Sequence, residues 1–356
     1  MKARTLNGFR KCGLCLMAGA LCLLLAMGTV DLAAQTSTPT APAATSVPQA
    51  EPVPATPASQ GGGSAIPASP EQAPADDNTV FVFKKEVQEV ALHATVVDGQ
   101  RHLVTNLDKA AFTIFEDGVP QKTTSFHRDD VPVAMGIVID NSGSMREKRD
   151  KVNQAVLNLI RASNPNDEIF VVNFSQDSYL DQDFTSNIDL LQQALQKVST
   201  RGSTALYDAI VASEVHLKNN TRVDRKVLLV ITDGRDNASQ ETLQEATRKL
   251  QQQTGPTLYA IGLLSDELQQ SGTQALQSLA DSTGGVAFFP RSLDEVNDIT
   301  RTVARDIRSQ YTLGYKSSNA SQSQAYRNIH VTAQAPGHGQ LTVRTRTGYY
   351  PGEALH

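Results

Sequence analysis

The sequence predicts an α/β domain with an open, doubly wound, mostly parallel sheet and helices on both faces, joined to a small β module made from the N- and C-terminal flanks. Three observations predict it. Five short apolar runs, at 131–139, 168–174, 226–231, 257–263 and 285–289, are too continuously apolar for strands with one wet face. Longer segments between them carry apolar residues at helical spacing. The flanks instead alternate apolar and polar residues, the period of half-buried strands.

Taken from the start, Lys2, Arg4, Arg10 and Lys11 precede an apolar run at 13–30 and the small residues Ala33 and Ala34. Residues 1–34 read as a signal peptide. Leu32 is bulky for a site cleaved after Ala34, and the run is long enough to remain as an uncleaved N-terminal anchor. No small-residue pair directly precedes Cys12, Cys15 or Cys22, which argues against a lipoprotein. These are all 3 cysteines of the chain, so the remainder has no disulfide and the Cys12–Cys15 pair has no second ligand pair with which to hold zinc. Residues 35–78 are Pro, Ala, Thr, Ser and Gln with three glycines at 61–63. Such a segment cannot bury enough apolar surface to offset its ordering entropy, and a disordered linker is expected.

The flanking β segment spans 79–130. Val90, Leu92, Ala94 and Val96 alternate with other residues, Asp98-Gly99 supplies a turn, and a second strand at Phe112 and Ile114 runs into the turn Glu116-Asp117-Gly118. The C-terminal β segment, 311–356, has strand patterns at 311–315, 328–333 and 341–345, and is expected to pack with 79–130. Within the central domain, 131–310, Val152, Ala155, Val156, Leu159 and Ile160 mark a first helix. Further helices fit 190–198, 206–217, 240–252, 273–282 and 293–309.

The composition is 40% hydrophobic with a formal charge of -5. That suffices for a full core, and the interspersed charges include no basic stripe able to track a phosphate backbone, so nucleic acid is excluded as a partner. Membrane contact is expected only through an uncleaved anchor.

The chemistry-bearing residues sit where strands end. The run at 131–139 leads into Asp140-Asn141-Ser142-Gly143-Ser144, the run at 226–231 into Thr232-Asp233-Gly234, and Gly202-Ser203-Thr204 precedes a helix. In doubly wound sheets, ligands collect at the carboxyl ends of the strands where strand order reverses. If the strands leading to Asp140 and Asp233 flank that point, Asp140, Ser142, Ser144, Thr204 and Asp233 converge. Two carboxylates and three hydroxyls suit a hard divalent cation, Mg²⁺ first, with Mn²⁺ or Ca²⁺ as alternatives. An incompletely neutralised ion would accept an anionic oxygen from a partner protein's Glu or Asp.

Asp-x-Ser-x-Ser alone could simply cap a helix. The agreement with Thr204 and Asp233 is what makes it a metal set. Asp208 has two readings, orienting Thr204 from behind or answering the dipole of the helix it begins. Asp236 and Asn237 either rim the site or are an ordinary polar loop. No Gly-x-Ser-x-Gly elbow or His-Glu-x-x-His pair is present, so no catalytic residue is assigned and the protein is read as a binding module, not an enzyme.

These three elements resemble the von Willebrand factor A domains of integrins, matrix proteins and many bacterial proteins. Their metal-ion-dependent adhesion site is Asp-x-Ser-x-Ser, a later threonine and a later aspartate, matched here by Asp140, Ser142 and Ser144, then Thr204, then Asp233. The resemblance implies that the hydroxyls contact the metal and that the aspartates often act through water. Glu116-Asp117-Gly118, Leu313-Gly314-Tyr315 and Gly348-Tyr349-Tyr350 further resemble a subfamily of exported bacterial proteins frequent in Acidobacteria. The function expected is metal-dependent adhesion or scaffolding in the cell envelope, in the periplasm, at the cell surface or after secretion. Two alternatives stand beside it: an assembly factor working with an AAA-type ATPase, which would need the domain in the cytosol, and an envelope hydrolase.

Overall fold

The computed structural model describes residues 89–128, 130–197, 200, 202–263, 269–319 and 323–352. The expected signal peptide and linker lie outside the described residues, which all belong to one compact unit of the chain, Val80–His356. The N-terminal flank forms β1 (Glu89–Val97), β2 (Phe112–Glu116), β3 (Val119–Gln121) and β4 (Thr123–His127). The central part runs β5 (Ala134–Asp140), α1 (Arg149–Arg161), β6 (Glu168–Phe174), β7 (Ser178–Thr185), α2 (Ile188–Gln196), α3 (Leu206–Asn220), β8 (Lys226–Thr232) and α4 (Leu243–Leu250). It continues through β9 (Thr257–Gly262), α5 (Gln269–Thr283), β10 (Ala287–Phe288) and α6 (Val296–Arg308). The C-terminal flank adds β11 (Tyr311–Lys316), β12 (Arg327–Ala333), β13 (Thr342–Arg344) and β14 (Gly348–Tyr349). Among the described residues no helix is long and apolar enough to cross a membrane.

The central sheet has the order β10-β9-β8-β5-β6-β7 and is parallel except for β7. Alternation along β5 divides the core. Met135, Ile137 and Ile139 pack with α1, α2 and α6 on one face, while Ala134 and Val138 pack with α3, α4 and α5 on the other. Every residue of β5 is therefore buried, which is why the run reads as continuously apolar. Gly136 is needed for space: a Cβ there would lie 2.3 Å from the Phe170 ring and 2.6 Å from Leu228.

Helix starts follow local capping. The Asn187 side chain accepts from the amides of Asp189 and Leu190, so α2 begins ahead of the expected 190. A reciprocal capping box between Thr242 and Glu245 starts α4 at Leu243, not at 240. The antiparallel edge strand β7 is absent from the sequence reading. Its Tyr179 and Leu180 are exposed, so its apolar residues do not follow the period of burial.

The flanks build two four-stranded sheets, β13-β1-β11-β4 and β14-β12-β2-β3, around a shared core that includes Leu92, Ile114, Leu313 and Val331. Asp117 and Gly118 both have positive φ, 49° and 79°, as a tight hairpin turn between β2 and β3 requires. The buried Glu116 carboxylate accepts from the hydroxyls of Tyr315 at 2.5 Å, Ser317 at 2.5 Å and Tyr349 at 3.1 Å, and pairs with Arg327 at 3.2 Å. Three separated motifs of the sequence, around Glu116, Tyr315 and Tyr349, thus meet in one buried network.

This module is fastened to the amino ends of the central strands. Arg346 donates to the carbonyls of Gln252, Gln253 and Gly255 just before β9, and Arg225, just before β8, donates to Thr312 at 3.2 Å. Arg344 pairs with Asp306 at 2.6 Å, and that carboxylate also accepts from the buried Tyr259 hydroxyl at 2.7 Å.

Removing one member of a buried ion pair strands the other. Glu116→Ala is expected to lower unfolding free energy by about 3 kcal/mol, read as a lower denaturant midpoint. Overpacking by Gly136→Ala is expected to cost about 1–3 kcal/mol by the same measurement.

Candidate functional site

The site is built on the adjacent carboxyl ends of β5 and β8. These strands pair in parallel register from Ala134 with Lys226 to Ile139 with Ile231, which brings the residues that follow alongside each other. Thr232 then donates its hydroxyl to Asp140 Oδ2 at 2.6 Å. The other oxygen, Oδ1, accepts the Ser142 amide at 2.7 Å. The chain turns here into a short 3-10 helix, Gly143–Met145, so Ser142 and Ser144 face one point, with 3.1 Å between their hydroxyl oxygens. Ser144 in turn donates to Asp233 Oδ1 at 2.7 Å.

Thr204 arrives from a different direction and is held by the loop that follows Asp233. Its amide donates to Asn237 Oδ1 at 2.8 Å, and the Asn237 amide donates to the Thr204 carbonyl at 3.0 Å. A Cβ on Gly234 would lie 3.4 Å from the Thr204 hydroxyl oxygen, which puts that hydroxyl against the Asp233-Gly234 backbone. Asp140, Ser142, Thr204 and Asp233 are buried, while Gly143 and Ser144 are exposed and mark the side open to solvent.

Burial pushes the Asp140 carboxyl above its ordinary pKa; the hydrogen bonds from Thr232 and Ser142 oppose this, and the charge of Asp233 adds to it. Two cations face these carboxylates. Lys148 forms an ion pair with Asp233 Oδ2. Arg149 is 1% exposed at the start of α1 and donates to Asn173 Oδ1 at 2.8 Å. Burial lowers its guanidinium to about 10, against the charges of Asp140 and Asp181.

Four of the five sequence-selected residues, Asp140, Ser142, Ser144 and Asp233, are linked by hydrogen bonds, and the Thr204 hydroxyl lies against the neighbouring Gly234; their side-chain oxygens are hard donors of the kind that suit a divalent cation. Among the described residues no group of three or more His, Cys, Asp or Glu side chains is placed to hold a metal. Asp208 does not reach Thr204: its carboxylate accepts the amides of Gln240 and Glu241, at 3.0 Å and 2.8 Å. Asp236 accepts the Tyr207 amide at 3.2 Å and so satisfies the first turn of α3. Its job is to fasten the loop after β8 to the helix after Thr204.

Lys148, Arg149, Thr232 and Asn237 complete the surroundings. Thr232 lies directly after the apolar run 226–231 with no spacing that marks it as a partner of Asp140, and Asn237 fits either a rim position or an ordinary polar loop. The two cations carry no spacing signal, because neither the sequence around Lys148 nor that around Arg149 marks a carboxylate or amide partner far along the chain.

The family model of the von Willebrand factor type A domain matches residues 135–302. No curated protein matches the chain. Among solved structures it is similar to the PilB minor pilin from Streptococcus sanguinis, at 12% identity and a TM-score of 0.44, over 51% of this chain and 63% of that one. The chain thus spans less than two thirds of that pilin. It is similar to proximal thread matrix protein 1 from the mussel byssus, with a zinc-occupied MIDAS motif, at 17% identity and a TM-score of 0.44, over 54% of this chain and 49% of that one. A von Willebrand factor type A structure from Catenulispora acidiphila is similar at 14% identity and a TM-score of 0.43, over 76% of each chain. The matched span opens in β5, closes in α6 and encloses Asp140, Ser142, Ser144, Thr204 and Asp233, and over residues 135–302 the chain is similar to a von Willebrand factor type A domain.

Proposed function

We propose that this domain carries an intact metal-ion-dependent adhesion site and works as an exported, metal-dependent binding module, a member of the exported bacterial subfamily that its flanking motifs resemble. The observation that carries the reading is the hydrogen-bonded chain from Ser142 through Ser144 to Asp233, with the Thr204 hydroxyl against Gly234. Asp140, Ser142, Ser144, Thr204 and Asp233 would hold the ion, Mg²⁺ in the first instance, with Mn²⁺ and Ca²⁺ as competitors. When bound, a divalent cation supplies a Lewis-acidic position that an incoming carboxylate can complete. The partner is accordingly a protein presenting Glu or Asp. Asp140 and Asp233 are engaged by neighbouring hydroxyls, an amide and Lys148, which supports a binding role over a catalytic one. The place of action is extracytoplasmic, in the periplasm, at the cell surface or in the medium.

Calorimetric titration of Mg²⁺ and Mn²⁺ into the full chain tests this. Wild type is expected to bind, and Asp140→Ala and Thr204→Ala are each expected to abolish binding while circular dichroism stays unchanged. A wild type that binds neither ion would reduce the constellation to loop and helix capping.

The metal-free domain offers a second test. Because the folded-state pKa of Asp140 is raised, its contribution favours the fold below its unfolded pKa and is lost as pH rises through the folded value. Above the folded value the ionised, buried carboxylate costs stability relative to its unfolded state. Asp140→Asn is expected to raise the thermal midpoint in chelator at pH 7, with the gain shrinking toward pH 4.

A further inference from the structure

Resting on the cation reading above, the contacts of Lys148 add a regulatory element to the site. Its ammonium pairs with Asp233 Oδ2, and the Asp233 side chain is fully buried while that of Lys148 is 27% exposed. The other Asp233 oxygen is taken by Ser144, so this carboxylate is satisfied on both oxygens without an ion. Arg149 is a second cation near the group, and the charge of Asp140 works to keep its guanidinium protonated. With Lys148 paired to Asp233 and Arg149 nearby, much of the negative charge that would attract a dication is already balanced.

The two cations differ in freedom. Arg149 is buried and anchored to Asn173 and to the Leu195 carbonyl, so its charge is a fixed part of the site. Lys148 ends in a hydrated point charge on a flexible four-carbon stem that already reaches solvent. Its backbone sits at the cap position of α1, so the side chain can swing into water while the helix stays in place. An ammonium and a divalent ion sharing Asp233 in a partly desolvated pocket repel strongly. One must leave, and only Lys148 has a way out.

We propose that Lys148 is a tethered competitor for the cation: it neutralises Asp233 in the metal-free domain and must be displaced for the ion to bind, which holds the affinity of the site down.

The test compares the full-length wild type with Lys148→Gln and Lys148→Arg, titrating each with Mn²⁺ by calorimetry and melting each in chelator. Lys148→Gln is expected to bind Mn²⁺ about tenfold more tightly, ~1.4 kcal/mol, and to melt earlier without metal because Asp233 has lost its partner. Lys148→Arg, which keeps the charge, is expected to stay near wild type in both measurements. Equal or weaker Mn²⁺ affinity in Lys148→Gln overturns the competition while leaving the cation site standing. Absence of binding in wild type and Lys148→Gln alike overturns the cation site and the competition together.

Discussion

The position of β5 between β8 and β6 is the constraint on which the rest of the structure depends. All three strands are parallel and in register, but the chain leaves β5 over one face, through α1, and enters β8 over the other, through α3. The connections diverge at the carboxyl ends, and the crevice they leave is where a doubly wound sheet gathers its ligands. Asp140 and Asp233 stand together because each follows one of the two strands bordering that crevice. The Thr232 to Asp140 hydrogen bond ties the rims, and Thr204 is brought in by the helix that crosses between them.

The same topology fixes where the flanks go. β5 begins and α6 ends at the opposite, amino end of the sheet, and Arg308 near the end of α6 reaches back to Asp130 at 2.7 Å. Both flanks therefore emerge at one place, and a module made from the two of them packs there. Buried polar side chains fasten it: Arg346 to three carbonyls before β9, and Asp306 shared by Tyr259 and Arg344. Groups of this kind are costly to bury unless fully partnered, so they set the orientation of module on sheet more strictly than apolar contact would. The contacts that join the two lie at the end of the sheet away from the candidate site.

What the sequence made legible follows from what burial imposes on it. Strands covered on both faces must be apolar throughout, so the runs leading to Asp140 and Asp233 could be read, and β6 coincides with its expected bounds. The candidate ligands were legible because hydroxyls and carboxylates at the ends of apolar runs have few structural reasons to recur in three places. β7 escaped because an edge strand with exposed Tyr179 and Leu180 has no such requirement. Asp208 and Asp236 lie next to the site in sequence, but their carboxylates are taken up by loop and helix amides. Spacing alone cannot distinguish an aspartate that fastens a loop from one that orients a ligand. Lys148 was overlooked for the converse reason: a lysine early in a helix carries no signal until its partner, 85 residues on, is known.

Three apolar cores hold this fold, so the site need not contribute to stability. Its geometry is nevertheless set in advance. The Ser142 amide is held by Asp140, the Asn141 amide by the Phe174 carbonyl at 2.6 Å, and Thr204 by Asn237 on both its amide and its carbonyl. The ordering entropy of these loops is met during folding, as preorganised sites require. An ion entering such a place, under the proposed reading, has little loop to order and little shape to induce. What remains to decide its affinity is charge, distributed over Asp140, Asp233, the fixed Arg149 and the movable Lys148.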